Sequence, residues 1–405
     1  MRTVVEHQTA VRNLLAPLRQ RVIEQWRVGD AMLDTRVLAA DLLNPIDLPP
    51  FDNSQMDGYA VGSDTASGIP LTVGARIAAG SNIRSFEPGT AAPIMTGAPI
   101  PLGADAVIPI EEAVPPHFLP EDGAQTVVFQ RNAPSGSYVR RRGSDLRQGE
   151  MLLAAGTRLG PAQWGVLAAA GLTTVPLIPR VRVLLVSTGN ELVAPGRALA
   201  PGEIYDANGT SMAVALAGAG AVVESIVAPD SSDVVSRLVR DRADDVDLVL
   251  TTGGVSQGTR EVVRDVFEGA GVEFVTVAMQ PGGPQGLGSA ILDGAVVPIV
   301  SFPGNPVSAL VSFEMFLRPV LRELHGLPAT RRSWTAALSA PLDSPADKHQ
   351  VRRGRVAASG DIELIGGSGS HLLHNYAAST VLAHVPLGVS HLDAGEPIEV
   401  WSIDD

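Results

Sequence analysis

Three short stretches of this 405-residue chain carry residue types suited to receiving phosphate: STGNEL at 187–192, TTGGVSQG at 251–258 and SFPGNPVSA at 301–309. Each follows an apolar run of strand character. Glycine lets the backbone approach a ligand closely, and the N-terminus of a following helix offers free N–H groups to an anion. One Gly-rich turn specifies little. Three at the carboxyl ends of parallel strands point to a phosphate-bearing ligand, because open α/β sheets bind ligands at that edge. The candidate contacts are Gly189, Gly253, Gly254, Ser256, Pro303, Gly304 and Asn305. The acids Asp57, Asp145, Glu191, Asp206 and Asp230 also lie in or near Gly/Pro-rich loops, where a carboxylate can orient Mg²⁺ or a ligand. Singly, each also fits an ordinary solvated acid.

Other stretches need weighing. VAMQPGGPQGLG, Val277 to Gly288, is uncharged and rich in Gly, Pro and Gln, and it reads as a loop fitted tightly around a ligand. GVSQG, Gly254 to Gly258, matches the G-x-S-x-G nucleophile elbow, with Ser256 as the nucleophile of a hydrolase. No HGGG-like oxyanion loop precedes it, and the Gly253–Gly254 doublet suits a phosphate better. GAGAVV at 218–223 follows a helix pattern and reads as a helix C-cap, not a dinucleotide fingerprint. His371 and His374 in HLLH have one-turn spacing but no convincing third zinc ligand.

The elements that must position these loops alternate. From 181 onward VRVLLVSTG, VDLVLTTGG and AVVPIVSFPG read as buried strands. TSMAVALAGAGAVV, TREVVRDVFEGAG and the long PVSALVSFEMFLRPVLRELHG read as helices. Such alternation predicts a parallel sheet with helices on both faces. Residues 5–18 and about 32–43 carry helix-compatible spacing and end at the NPIDLPP breaker. From about 46 to 139 the chain reads as a small β domain, PAQWGVLAAAGLTTVPL as helix then strand, and the residues after 327 as β again.

Composition narrows the class. The chain is long enough for three or four domains. An apolar content of 45% with 4% aromatic residues fits a soluble α/β protein. Zero cysteines exclude disulfides, thiol catalysis and Cys-based metal sites. A net charge of −13 argues against nucleic-acid binding. The absence of any 18-residue apolar run and of a signal-peptide h-region predicts a cytoplasmic protein without membrane contact. Lys348 is the only lysine among 30 Lys+Arg, so a position that lost lysine should show arginine if charge mattered there.

The motifs LPPFDNSQMDGYAV (48–61), PIMTGAPIPLGADAVIPIEE (93–112), RRRGSDLRQGE (140–150), VSTGNEL (186–192), EIYDANG (203–209), TTGGVSQG and FPGNPVSALVSFEMFLRP (302–319) resemble, in order, the molybdopterin molybdenumtransferase family (MoeA), whose relatives include the gephyrin E domain. The resemblance spans nearly the whole chain. It implies a multidomain α/β fold: a discontinuous helical domain (1–45 and 140–177), an inserted β-rich domain (46–139), a parallel, doubly wound α/β domain of molybdopterin-binding type (178–327) and a C-terminal β-barrel-like domain (328–405). It implies a homodimer, with the active site between the α/β domain of one subunit and the N-terminal domains of the other. The implied reaction inserts molybdate into adenylylated molybdopterin with Mg²⁺, yielding molybdenum cofactor and AMP. Transient contacts with the upstream adenylyltransferase and recipient molybdoenzymes would follow.

By motif position, the resemblance gives catalytic roles to Asp57, Thr96, Asp145, Glu191 and Asp230, with Asp57, Asp145 and Glu191 as metal-associated acids. Arg353 and Ser370 match residues that help bind molybdate. The chain departs from the family pattern at five positions. Gly143–Ser144–Asp145 stands for Gly-Glu-Asp, Asn190 and Glu261 each stand for Asp, and Gln280 and Gly283 stand where two lysines are usual. Gln280 and backbone N–H groups would then bind molybdate, with a high molybdate KM or a compensating Arg such as Arg353 as the consequence. A catalytically weak binding scaffold and tungstate use are the competing readings. Single-domain adenylyltransferases share the α/β fold, but the additional domains here favour the insertion step.

Overall fold

The computed structural model describes residues 1–29, 36–119, 125–255, 261–292 and 294–404. The chain forms two compact units, one of residues 1–24, 35–37 and 177–405, the other of 25–34 and 38–176.

In the first unit, helix α1 (Val4–Leu15) opens with a capping box: Thr3 accepts from the Glu6 N–H while the Glu6 carboxylate accepts from the Thr3 N–H. The α/β part follows with β1 (Arg182–Thr188), α2 (Ala207–Gly218), β2 (Val222–Ala228), α3 (Ser232–Arg242), β3 (Leu248–Thr252), α4 (Val262–Phe267), β4 (Val272–Thr276), β5 (Pro284–Leu292), β6 (Ala295–Phe302) and α5 (Pro306–Ser312). The sheet order is β2-β1-β3-β6-β5-β4. Successive residues of a strand face opposite sides. Val183, Leu185, Leu248 and Leu250 therefore pack with α1, α2 and α5, while Leu184, Val186 and Val249 pack with α3 and α4. Each such fully buried side chain contributes about 1.5–3 kcal/mol, so both faces are strongly specified.

The sheet corrects part of the sequence reading. Four strands are parallel, but β5 pairs antiparallel with both β6 and β4. The stretch read as one tight loop enters β5 at Pro284. Its glycines look loop-like but serve close strand packing: a Cβ on Gly286 would lie 2.6 Å from Phe274 Cε1, and one on Gly288 2.3 Å from the Gly271 carbonyl oxygen. The helix read through Val223 stops at Gly218, and Val222 begins the edge strand β2. Residues 36–37 and 42–43 are short strand segments, not the helix expected over 32–43, and part of that stretch lies outside the described residues.

The long closing helix is also interrupted. After α5 a π-turn spans Phe313–Leu317, and α6 (Arg318–Leu324) completes it. Pro319 has no N–H to give the Met315 carbonyl, and that carbonyl accepts from Gln8 Nε2 of α1 at 3.1 Å.

The C-terminal part contains β7 (Ser333–Ala337), β8 (His349–Val356), β9 (Val381–Val385) and β10 (Pro397–Ser402), with the short helix α7 (Leu373–Ala377) before β9. Its sheet also holds the short strand Ile362–Leu364 beside β8, and it takes a sixth member from the α/β part: Met279–Gln280 pairs parallel with His349–Gln350.

The second unit holds a third six-stranded sheet, in the order Ala106–Pro109, Gly58–Val61, Thr90–Ile94, Leu71–Val73, Thr126–Phe129, Ala113–Val114. Helix Pro161–Ala169 and strand Thr174–Leu177 lie where helix followed by strand was read. No helix among the described residues is long and apolar enough to cross a membrane.

Candidate functional site

A cavity of about 920 Å³ opens at the carboxyl ends of the parallel strands. Gly189 from the loop after β1, Gly253 and Gly254 after β3, and Pro303, Gly304 and Asn305 after β6 line it together. The three Gly-rich loops converge because β1, β3 and β6 are adjacent and parallel. Gly253 and Gly254 have φ of +93° and +65°, a region that favours glycine, and the Gly253 N–H donates to the Phe302 carbonyl at 3.0 Å. Asn208 at the start of α2 donates to the Gly304 carbonyl at 2.7 Å, fixing the third loop against the helix. Ser256 lies outside the described residues, and with it the elbow reading.

Among the described residues, four acids line the cavity: Glu191, Asp206, Asp230 and Glu261. They do different work. Asp206 is buried and caps α2, accepting from the Gly209 N–H at 2.8 Å. Asp230 is exposed and tied to Asn190 by reciprocal backbone-to-side-chain bonds of 3.2 and 3.0 Å. Glu191 is exposed at the rim. No lysine or arginine is among the described lining residues. Two buried polar atoms of the lining, Thr188 Oγ1 and Asn208 Oδ1, have no hydrogen-bond partner among the described residues, as expected where a polar ligand is to be received.

Gln280 lines the cavity, and its Oε1 accepts from the buried Gln350 Nε2 at 2.7 Å. Ser370 also lines it, and its carbonyl accepts from the Val307 N–H of α5 at 3.1 Å. Arg353 does not reach the cavity. It is 2% exposed, and its guanidinium donates to the carbonyls of Gly367 and Gly369, the turn that brings Ser368 and Ser370 to the wall. Burial and the neighbouring Arg352 charge both lower its pKa. The compensating cation is therefore a loop fastener in this structure.

Asp57, Thr96 and Asp145 belong to the second unit. There Asp57 Oδ1 accepts from both the N–H and the hydroxyl of Thr96, at 2.7 and 2.8 Å, and these bonds hold its carboxyl below the usual range. Asp145 is exposed on a turn whose N–H donates to the Leu48 carbonyl at 3.0 Å. The preceding basic run is consumed locally: Arg141 pairs with Asp52 at 2.8 Å and Arg142 with Asp47 at 2.5 Å.

Sequence reasoning did not single out Asn208, Thr188, Ser308 or Ser368 for the cavity. Asn208, Thr188 and Ser308 lie within the motifs EIYDANG, STGNEL and SFPGNPVSA, beside the residues singled out there, whereas Ser368 arrives through distant pairing alone. His371 lines the cavity, but no group of three His, Asp or Glu among the described residues can hold a metal by itself. The rim carboxylates of Glu191 and Asp230 are oxygen donors of the kind Mg²⁺ takes, since it keeps several waters and binds through one or two carboxylates plus substrate phosphates.

Comparison with known proteins gives matches along the whole chain. Residues 2–171 match the MoeA N-terminal region (domain I and II), 184–323 a probable molybdopterin binding domain, and 335–403 the MoeA C-terminal region (domain IV). The chain is 41% identical over 420 residues to molybdopterin molybdenumtransferase 2 of Mycobacterium tuberculosis, covering 100% of each. It is 33% identical to molybdopterin molybdenumtransferase of Haemophilus influenzae over 90% of each. The crystal structure of a molybdopterin biosynthesis MoeA protein from Pyrococcus horikosii superposes with a TM-score of 0.76 at 29% identity, covering 98% of this chain and 99% of that one.

Proposed function

The chain belongs to the MoeA family of molybdopterin molybdenumtransferases, and we propose that it inserts molybdate into adenylylated molybdopterin, releasing AMP and molybdenum cofactor. The observation that carries this reading is the convergence of three Gly-rich loops on one cavity that combines acids with free polar atoms and has no described cationic side chain. A polyanionic ligand in such a place would be held by backbone N–H groups, with the acids available to a divalent cation that would offset its charge.

Glu191 and Asp230 are the cavity acids that would hold Mg²⁺, which would neutralise phosphate charge and polarise the bond to the adenylate. For Asp57 and Asp145 a metal role, and for Thr96 a catalytic role, is the proposal that the family resemblance supports. The chain's own contribution is positional. Loops Gly253–Gly254 and Pro303–Asn305 seat the pyrophosphate, while Gln280 and Ser370 face the oxyanion end of the ligand. Neutral donors bind a dianion less tightly than ammonium groups do, so the molybdate KM is high. A cytoplasmic homodimer that passes its product to molybdoenzymes is the setting this reading implies.

The deciding experiment loads the purified protein with adenylylated molybdopterin and Mg²⁺ and follows AMP release across a wide molybdate range. Release that depends on molybdate and saturates only at high concentration is expected. Tight binding of the pterin with no release at any molybdate concentration would assign a scaffold role instead.

A further inference from the structure

Gln280 is the polar side chain that the Met279–Gln280 segment brings to the cavity, and an amide is useful to an oxyanion only with its nitrogen facing the ligand. Its orientation follows from a residue outside the cavity lining. Gln350 and Arg352 stand two apart on β8 and share one face. A guanidinium only donates hydrogen bonds. Arg352 Nη1 donates to Gln350 Oε1 at 3.5 Å, and its Nη2 donates to the Gly366 carbonyl at 3.2 Å. With its oxygen turned toward Arg352, the Gln350 amide presents its nitrogen to Gln280 and donates to Oε1 at 2.7 Å. That occupies the carbonyl end of Gln280 and leaves its Nε2 donors for the cavity.

We propose that Gln350 and Arg352 are positioning residues that orient the Gln280 amide, and so give an uncharged loop its donor toward a tetrahedral oxyanion dianion. The proposal rests on the functional reading above. Three features separate it from plain packing. Gln350 is 2% exposed, so its amide does not exchange partners with water. The parallel pairing of Met279–Gln280 with His349–Gln350 fixes the backbone from which both amides project. The order of donors is also directional, because a chain begun by a cation polarises each amide after it in the same sense. A reversed Gln280 would aim a carbonyl oxygen at the anion.

The test is equilibrium dialysis of molybdate against the purified full-length protein, with bound molybdenum measured by elemental analysis and molybdate KM and kcat measured in parallel. Gln350→Met is neutral and similar in size, so it removes the orienting bond without changing charge. Its expected effect is a molybdate dissociation constant raised roughly fivefold, the scale of one net hydrogen bond, with KM raised alike and kcat unchanged. In a Gln280→Met background the same substitution should add nothing, since the two residues act through one donor. Arg352→Met should reproduce the loss and Arg352→Lys should restore binding, which decides the matter if Gln350→Met does not fold. Gln350→Met matching wild type, or weakening molybdate equally in both backgrounds, overturns the relay while leaving the transferase reading intact. Wild-type protein that binds no molybdate overturns both.

Discussion

Asn190 and Asp230 hold each other across two loops: the Asn190 N–H donates to Asp230 Oδ2 at 3.2 Å, and the Asp230 N–H donates to Asn190 Oδ1 at 3.0 Å. The pair ties the loop after β1 to the segment that leads into α3, and it keeps an acid at the cavity rim. The side-chain amide supplies an acceptor to that clasp without adding charge beside Asp230.

Asn190→Ala removes the acceptor for the Asp230 N–H and should raise the Mg²⁺ concentration for half-maximal turnover about fivefold, the scale of one hydrogen bond. Asn190→Asp keeps the acceptor and should stay within about twofold of wild type. A magnesium titration of turnover in both variants checks this. Equal behaviour of the two would show that the clasp does not position Asp230.

Glu191→Gln keeps the shape of the rim and removes a charge. Its Mg²⁺ requirement should rise about tenfold, as for loss of a bond to a charged group, and chelation of the metal should release adenylylated pterin from wild type. Pterin retention in EDTA, followed by gel filtration and fluorescence, would argue that backbone donors alone hold the ligand.

Gly254→Ala strains a residue at φ +65° and sets a Cβ 2.8 Å from Val263 Cγ2. The expected cost is about 1–3 kcal/mol, read as a lowered melting temperature, together with loss of pterin binding. A variant that melts like wild type and still binds pterin would mean that this loop is free to rearrange.

Gln280→Lys places an ammonium at the cavity and should lower the molybdate KM about tenfold. It also removes the acceptor used by Gln350 Nε2, so stability should drop by about 1–2 kcal/mol. Molybdate kinetics and thermal melting separate the two effects. An unchanged KM would show that the oxyanion does not meet this side chain.

Acid should unfold the first unit through its buried histidines. Val181 N–H donates to His325 Nε2 at 2.9 Å, and Nδ1 lies 2.9 Å from the Ala219 carbonyl, so the ring is held neutral. Burial pushes His325 and His7 down to about 4, and His384 to about 3, from an ordinary 6.5. The unfolded chain therefore binds protons that the folded chain refuses between pH 6.5 and about 4. Stability is complete above that window and falls as pH drops through it, by about 2 kcal/mol for His325 at pH 5. Urea unfolding at pH 7.5 and pH 5 checks this, with His325→Gln expected to show a smaller difference between the two than wild type.

Much of the α/β part was legible in the sequence. Near-continuous apolar runs and loops rich in glycine marked β1, β3 and β6 and the edge where Gly189, Gly253 and Gly304 meet, because strand burial and turn chemistry are local properties. The stretch around Gln280 misled for a physical reason. Gly286 and Gly288 are small so that strands can pack closely, and sequence cannot tell that need from the freedom of a loop. Motif order also named Glu191, Asp230, Gln280 and Ser370, which line the cavity, and Asp57 and Thr96, which the structure joins by hydrogen bonds. It did not reveal that the Arg353 guanidinium is spent on the carbonyls of Gly367 and Gly369, or that Gln280 takes its orientation from Gln350. Residue types and local periodicity were set by the sequence itself. Which polar atoms find partners was decided only by tertiary structure, because those partners lie 14 to 70 positions away and meet through sheet pairing.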